Sequence, residues 1–116
     1  MKSEVFVTEA LGKSIEAVLC DTGSGISVTI AGGDLGHIGA LSARYDGCEP
    51  VRIQFPSHRE GQVCEKWAEA LYRNFHCPVV VSCGVHYDDA SKGEISVILD
   101  ALDKLLDKII KDLQNQ

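Results

Sequence analysis

The sequence predicts an α+β domain: a single mostly antiparallel β-sheet, in the order β-β-β-β-β-α-β-α, with two helices on one face. Three observations carry this expectation. Residues 4–55 fall into five short runs, several alternating apolar and polar side chains, with turn residues between them, as half-buried strands do. Beyond residue 60 the apolar spacing lengthens to three and four residues, the stripe of an amphipathic helix. Between two such stripes lies one continuously apolar run of strand length.

"EVFVTEAL" (4–11) and "SIEAVLCD" (14–21) are strand-like, and Gly12-Lys13 between them suits a tight hairpin turn. After the turn "DTGSG" (21–25), "ISVTIAG" (26–32) sets Ile26, Val28 and Ile30 against Ser27 and Thr29 on the opposite face. The loop "GGDLG" (32–36) leads into "HIGALSARY" (37–45), and "DGCEP" (46–50) turns the chain into "VRIQF" (51–55). There Val51, Ile53 and Phe55 face one way, Arg52 and Gln54 the other. Five strands with turns at regular spacing predict an antiparallel meander. From Glu60 to His76, the positions of Val63, Trp67, Ala70, Leu71 and Phe75 mark a helix, which Pro78 stops. "VVVSCGV" (79–85) then predicts a strand covered on both faces in the middle of the sheet. From Ser91 to Leu113, Ile95, Ile98, Leu99, Leu102, Leu105, Leu106, Ile109 and Ile110 lie on one broad helical stripe. Asp100 with Lys104, and Asp107 with Lys111, are acid-before-base pairs on its wet face, worth a few tenths of a kcal/mol each.

One domain spanning residues 1–116 is expected from the length. Eleven basic residues against seventeen acidic ones leave a net charge of −6, which argues against nucleic acid or anionic membrane as a partner. No run has the length of a membrane span, and residues 1–12 carry Lys2, Glu4 and Glu9 without the apolar core of a secretory signal. The five cysteines are odd in number and nowhere form C-x-x-C, so neither a disulfide framework nor a structural zinc site is expected. Cys20, Cys64 and Cys83 read as small buried hydrophobes, and a cytoplasmic location follows. Phe6, Val18 and Ile38 point apolar side chains toward the second sheet face, which predicts that another copy of the chain covers it in a homodimer.

Three polar clusters interrupt this scaffold. In "FPSHREG" (55–61) and "GVHYDDASKGE" (84–94), Ser57 with Glu60 and Ser91 with Glu94 have the spacing of capping boxes, which accounts for those four residues structurally. Capping does not account for Arg59, a cation expected in a first turn where the helix dipole opposes it, nor for Gly61 inside the helix. With His58 they describe an anion cradle of free backbone donors and a guanidinium that grips phosphate with two bonds. An exposed Arg59 paired with a surface carboxylate is the alternative. In "GGDLGHIGAL" (32–41), glycines bracket Asp34 and His37. The pattern is neither a dinucleotide fingerprint nor a Walker loop, which lacks its lysine here. His37, His58 and His86 each lie at a strand end or helix start, where sites collect, whereas His76 before Pro78 reads as a helix cap.

Taken together and in this order, "GGDLGHIGAL", "FPSHREG" and "GVHYDDAS" resemble the LpdD-like family. Its members are small D-type proteins associated with UbiD-type hydroxyarylic acid decarboxylases such as gallate decarboxylase, and are described as prenylated flavin chaperones. The resemblance runs from about Ser14 to about Asp103. It implies a fold like that of proteasome assembly chaperones, a small sandwich that associates in pairs. It also implies an accessory role: binding prenylated flavin mononucleotide (FMN), or FMN, or the UbiD-type decarboxylase subunit that awaits it. The family brings no established catalytic residues. The positions it implies for cofactor binding are Asp34, His37 and Gly39; His58, Arg59 and Glu60; and His86, Tyr87 and Asp88, with Ser57 at the start of the turn expected to hold a phosphate. Two other classes stay open. Asp34, His37, His86 and Asp88 have the ligand types of a mononuclear metal enzyme with Glu60 as base, although neither H-x-x-x-H nor H-x-H occurs. A ligand-free assembly module is the third.

Overall fold

The computed structural model describes residues 1–56 and 58–116. The chain runs β1 (Lys2–Ala10), β2 (Lys13–Asp21), β3 (Ile26–Gly33), β4 (Leu35–Arg44), β5 (Val51–Gln54), α1 (Gly61–Phe75), β6 (Val79–His86) and α2 (Lys92–Gln114). Element order and fold class follow the expectation. Period-two alternation puts Ile15, Ala17 and Leu19 of β2, Val28 and Ile30 of β3, and Val79, Val81 and Cys83 of β6 into one buried layer. Trp67, Ala68 and Leu71 of α1 and Leu102, Leu105 and Ile109 of α2 close over it, α1 across β4 to β6 and α2 across β1.

The five-strand meander is corrected. The six strands lie in the order β1-β2-β3-β6-β4-β5, so β6 is wedged between β3 and β4, parallel to the first and antiparallel to the second. Alternation dictates which face a side chain takes, but not which strand lies alongside. The wedge is locked where β3 passes into β4. Gly33 has φ +80°, the Asp34 N–H donates to the His86 carbonyl at 2.7 Å, and a Cβ at Gly33 would fall 2.8 Å from the Tyr87 ring.

The second face is also redrawn. Phe6 belongs to the buried core and Ile38 lines a cavity on the helical side; of the three expected residues only Val18 faces outward. It does so beside Val5 and Val7, in a sheet face that also carries Val80, Val51 and Ile53, all exposed. The apolar run of β6 is central but covered on one face only, with Val80 44 % exposed. Cys64 and Cys83 are buried, as expected, whereas Cys20 is half-buried. The first hairpin turns at Leu11-Gly12, both with positive φ, one residue before the expected pair.

α2 begins as expected. The Ser91 hydroxyl accepts from Glu94 N–H at 3.2 Å, and the Glu94 carboxylate accepts from Ser91 N–H at 3.0 Å, a complete capping box. α1 does not. Its first helical residue is Gly61, and Glu60 is the N-cap rather than the third residue of a box; Ser57 lies outside the described residues. The Gln54 side-chain oxygen accepts the Gly61 N–H at 3.1 Å instead. Gly61 therefore stands at the helix start, where a Cβ would meet the Arg52 guanidinium, and Arg59 precedes the helix. Neither is the dipole or propensity violation that the sequence implied. At the far end, His76 takes a left-handed conformation and caps α1 on Tyr72 O, as read.

Candidate functional site

The first cluster is shaped by a bulge in β4. Gly36 pairs with Val85 and Ala40 with Cys83, so four residue steps on β4 match two on β6, and residues 37–39 are pushed out of register. Gly84 permits this, because the His37 backbone passes through the space a Cβ would fill. The His37 ring Nδ1–H donates to the Leu35 carbonyl at 3.2 Å. Its Nε2 lies 3.0 Å from Glu60 Oε1 and 3.1 Å from His58 Nδ1, and the His37 and His58 ring centres are 4.8 Å apart.

The loop before α1 supplies the other half. His58 N–H donates to Phe55 O, and Phe55 N–H donates in turn to Gly39 O at 2.9 Å, so the loop is tied to the bulge. The Arg59 N–H donates to Glu60 Oε2 at 3.0 Å. Gly39 makes room: a Cβ there would fall 2.8 Å from the Glu60 carboxyl carbon and 2.9 Å from His58 Nδ1. The residue types read from the sequence are thus in contact, in a constellation that no linear spacing shows.

The third cluster follows β6. His86 Nε2 pairs with Asp88 Oδ1 at 2.9 Å, and the His86 ring stands edge-on to His37 with centres 6.4 Å apart. The Tyr87 hydroxyl donates to Ala10 O at 2.8 Å, and burial pushes its phenol above the usual range. Asp34 accepts from the Asp88 N–H at 2.9 Å and pairs with Lys13 at 3.0 Å. That backbone bond first, then Lys13, holds its carboxyl below the usual carboxylate range. Asp34 and the Tyr87 hydroxyl thus fasten the ends of β6 and the first hairpin together. The quartet Asp34, His37, His86 and Asp88 is not gathered around one point. The ligand atoms that converge, all within 4.8 Å of one another, are those of His37, His58 and Glu60.

One cavity of about 740 Å³ joins the clusters within a single chain. Its polar end is lined by His37, His58, Arg59, Glu60, His86 and Tyr87; Asp34, Gly39 and Asp88, expected in the site, do not line it. Arg59 is the only lysine or arginine among the described lining residues, and no carboxylate among them pairs with its guanidinium. Val63 of α1, Val85 of β6 and Ile95, Ile98, Leu99 and Leu102 of α2 form an apolar wall that the motif reading missed. The signal was present: the α2 stripe is wider than the core uses, leaving Ile95 and Leu99 exposed. Cys83 lies at the back as an inert thiol, pushed far up by its hydrogen bond with Cys64 and by burial. Such an arrangement can hold a largely apolar ligand with an anionic end.

Comparison with known proteins bears on the role of the chain. The chain is 26 % identical over 114 residues to protein LpdD of Lactiplantibacillus plantarum, an alignment covering 94 % of this chain and 84 % of that protein. The fold is similar, at 13 % identity and a TM-score of 0.60 over 97 % of both chains, to one in the crystal structure of a novel chaperone complex for yeast 20S proteasome assembly. No helix among the described residues is long and apolar enough to cross a membrane. Residues 9–114, a span that includes all three polar clusters and the apolar wall above them, match the model of the prenylated flavin chaperone LpdD-like domain, and the chain belongs to that family.

Proposed function

We propose that this chain is an accessory protein that holds prenylated FMN, or FMN, and delivers it to a UbiD-type aromatic acid decarboxylase subunit. Family membership supports the chaperone role. The observation that carries the cofactor reading is the shared cavity. Its volume lies within the roughly 300–1,000 Å³ of small-molecule sites, and it combines an apolar wall with a guanidinium that no carboxylate among the described residues pairs. Arg59 and the first-turn amides of α1 that follow Gly61, whose own N–H is taken by Gln54, suit the phosphate. The α2 wall, with His37 and Tyr87, suits the ring system. The redox and adduct chemistry belongs to the flavin and to the enzyme that uses it; this chain's residues bind, orient and shield.

The exposed outer face of the sheet supports pairing with a second copy, and the five free cysteines suit a reducing cytoplasm. The test is a titration of FMN and prenylated FMN into the purified protein and into Arg59→Ala, followed by flavin absorbance and fluorescence. Saturable binding of either form, weakened about tenfold or more by the substitution, is expected, in keeping with a charged hydrogen bond worth about 1.5–3 kcal/mol. Failure of both forms to bind the unmodified protein overturns the cofactor reading.

A further inference from the structure

The contact between His37, His58 and Glu60 has an electrostatic problem that hydrogen bonding alone does not solve. His37 gives its Nδ1 proton to the Leu35 carbonyl. In the neutral ring Nε2 is then a lone pair, yet it faces the Glu60 carboxylate oxygen at 3.0 Å. A cation at that point reconciles them: a proton that makes His37 an imidazolium, or a metal ion that all three side chains share. The spacing fits the second. Metal–nitrogen and metal–oxygen bonds of about 2.0–2.2 Å put neighbouring ligand atoms roughly 3–3.5 Å apart. His37 Nε2 lies 3.0 Å from Glu60 Oε1 and 3.1 Å from His58 Nδ1, and His58 Nδ1 lies 3.8 Å from the other Glu60 oxygen, Oε2. One ligand atom from each of the three residues falls within 4.8 Å of the other two.

We infer that His37, His58 and Glu60 bind one divalent first-row transition-metal ion, with coordination positions left open toward the cavity. Two imidazoles and a carboxylate are the donor set such ions take, and three protein ligands leave sites for an exogenous one. The surroundings have the form of a supporting shell: Leu35 O orients the His37 ring, the Arg59 N–H orients the Glu60 carboxylate, and Gly39 leaves the space both require. All three ligands are partly buried and line the cavity. The inference goes beyond the flavin reading, because it concerns the protein without flavin.

The experiment uses the full chain, purified without a histidine tag, stripped with chelator and free of flavin. It is titrated with Co²⁺ while the visible spectrum is followed, and with Zn²⁺ by competition. One equivalent is expected to bind with a change in the cobalt bands. His37→Ala and His58→Ala should weaken binding by about 100-fold or more, Glu60→Gln by at least about tenfold, and His76→Asn, at the far end of α1, should leave it unchanged. Circular dichroism melts establish that each variant folds; should a histidine variant not fold, the isosteric Glu60→Gln carries the test. Absence of binding up to roughly 1 mM ion, or equal binding by folded His37→Ala and Glu60→Gln, overturns the proposal. Flavin binding without metal binding refutes this site and leaves the cofactor reading standing; metal binding without flavin does the reverse.

Discussion

Gly39→Ala isolates the polar cluster from the rest of the fold. The added methyl would lie 2.8 Å from the Glu60 carboxyl carbon, about 0.6 Å inside the 3.4 Å at which ordinary contact begins. Glu60 is flexible and can retreat, but only by moving its carboxylate out of the position that sets its 3.0 Å contact with His37. The bond from the Arg59 N–H to the same carboxylate is disturbed with it. A bond to a charged acceptor contributes about 1.5–3 kcal/mol when well buried, and water replaces part of it here, so a loss of about 1–2 kcal/mol is expected. For a chain of this length that lowers the melting temperature by about 5–10 °C. Gly84→Ala provides the contrast: its methyl would meet the backbone of His37 in the seam between β4 and β6, which cannot swing aside. That variant is expected to lose more than about 4 kcal/mol or not to fold. The assay is a thermal melt by circular dichroism, with histidine ring resonances read by NMR. If Gly39→Ala melts within a degree of the unmodified chain and leaves the His37 and His58 signals in place, the packing argument for this glycine is wrong.

Asp34→Asn is expected to flatten the acid limb of the stability curve. The Asp34 carboxyl is held below its ordinary value of 3.8 in the folded chain, so its contribution is complete above that value and disappears as pH falls through the lower folded one. Urea melts should therefore separate variant from unmodified protein at pH 6 and converge near pH 2; a constant gap would refute the linkage. Ser91→Ala removes the cap of α2 and should lower stability by about 1 kcal/mol in the same measurement. Val80→Lys, in the middle of the exposed sheet face, should convert a dimer to the 12.5 kDa monomer in sedimentation, and a monomeric unmodified chain at micromolar concentration would exclude pairing through this face.

Patterning and punctuation determined the elements. Strict alternation in residues 26–30 and 51–55, the three-and-four spacing of Trp67, Leu71 and Phe75, the serine before α2 and the stop at Pro78 are local physics, and they yielded the right order of strands and helices. The fold class follows from them, since two apolar stripes and one half-apolar sheet have few ways to cover one another. The three polar clusters were also legible, because glycines, histidines and a lone arginine at strand and helix ends serve no core. Neighbourhood was not legible. That β6 enters between β3 and β4 depends on long-range pairing locked at Gly33 and His86, and no residue of β3 announces its partner. That His37 meets His58 and Glu60, while Asp34 is taken by Lys13, depends on the β4 bulge and on the course of residues 55–60 across it. The amino-acid order thus decides which groups are present and which face they take. Only packing at van der Waals distance, through positions where a single methyl would intrude, decides which of them touch.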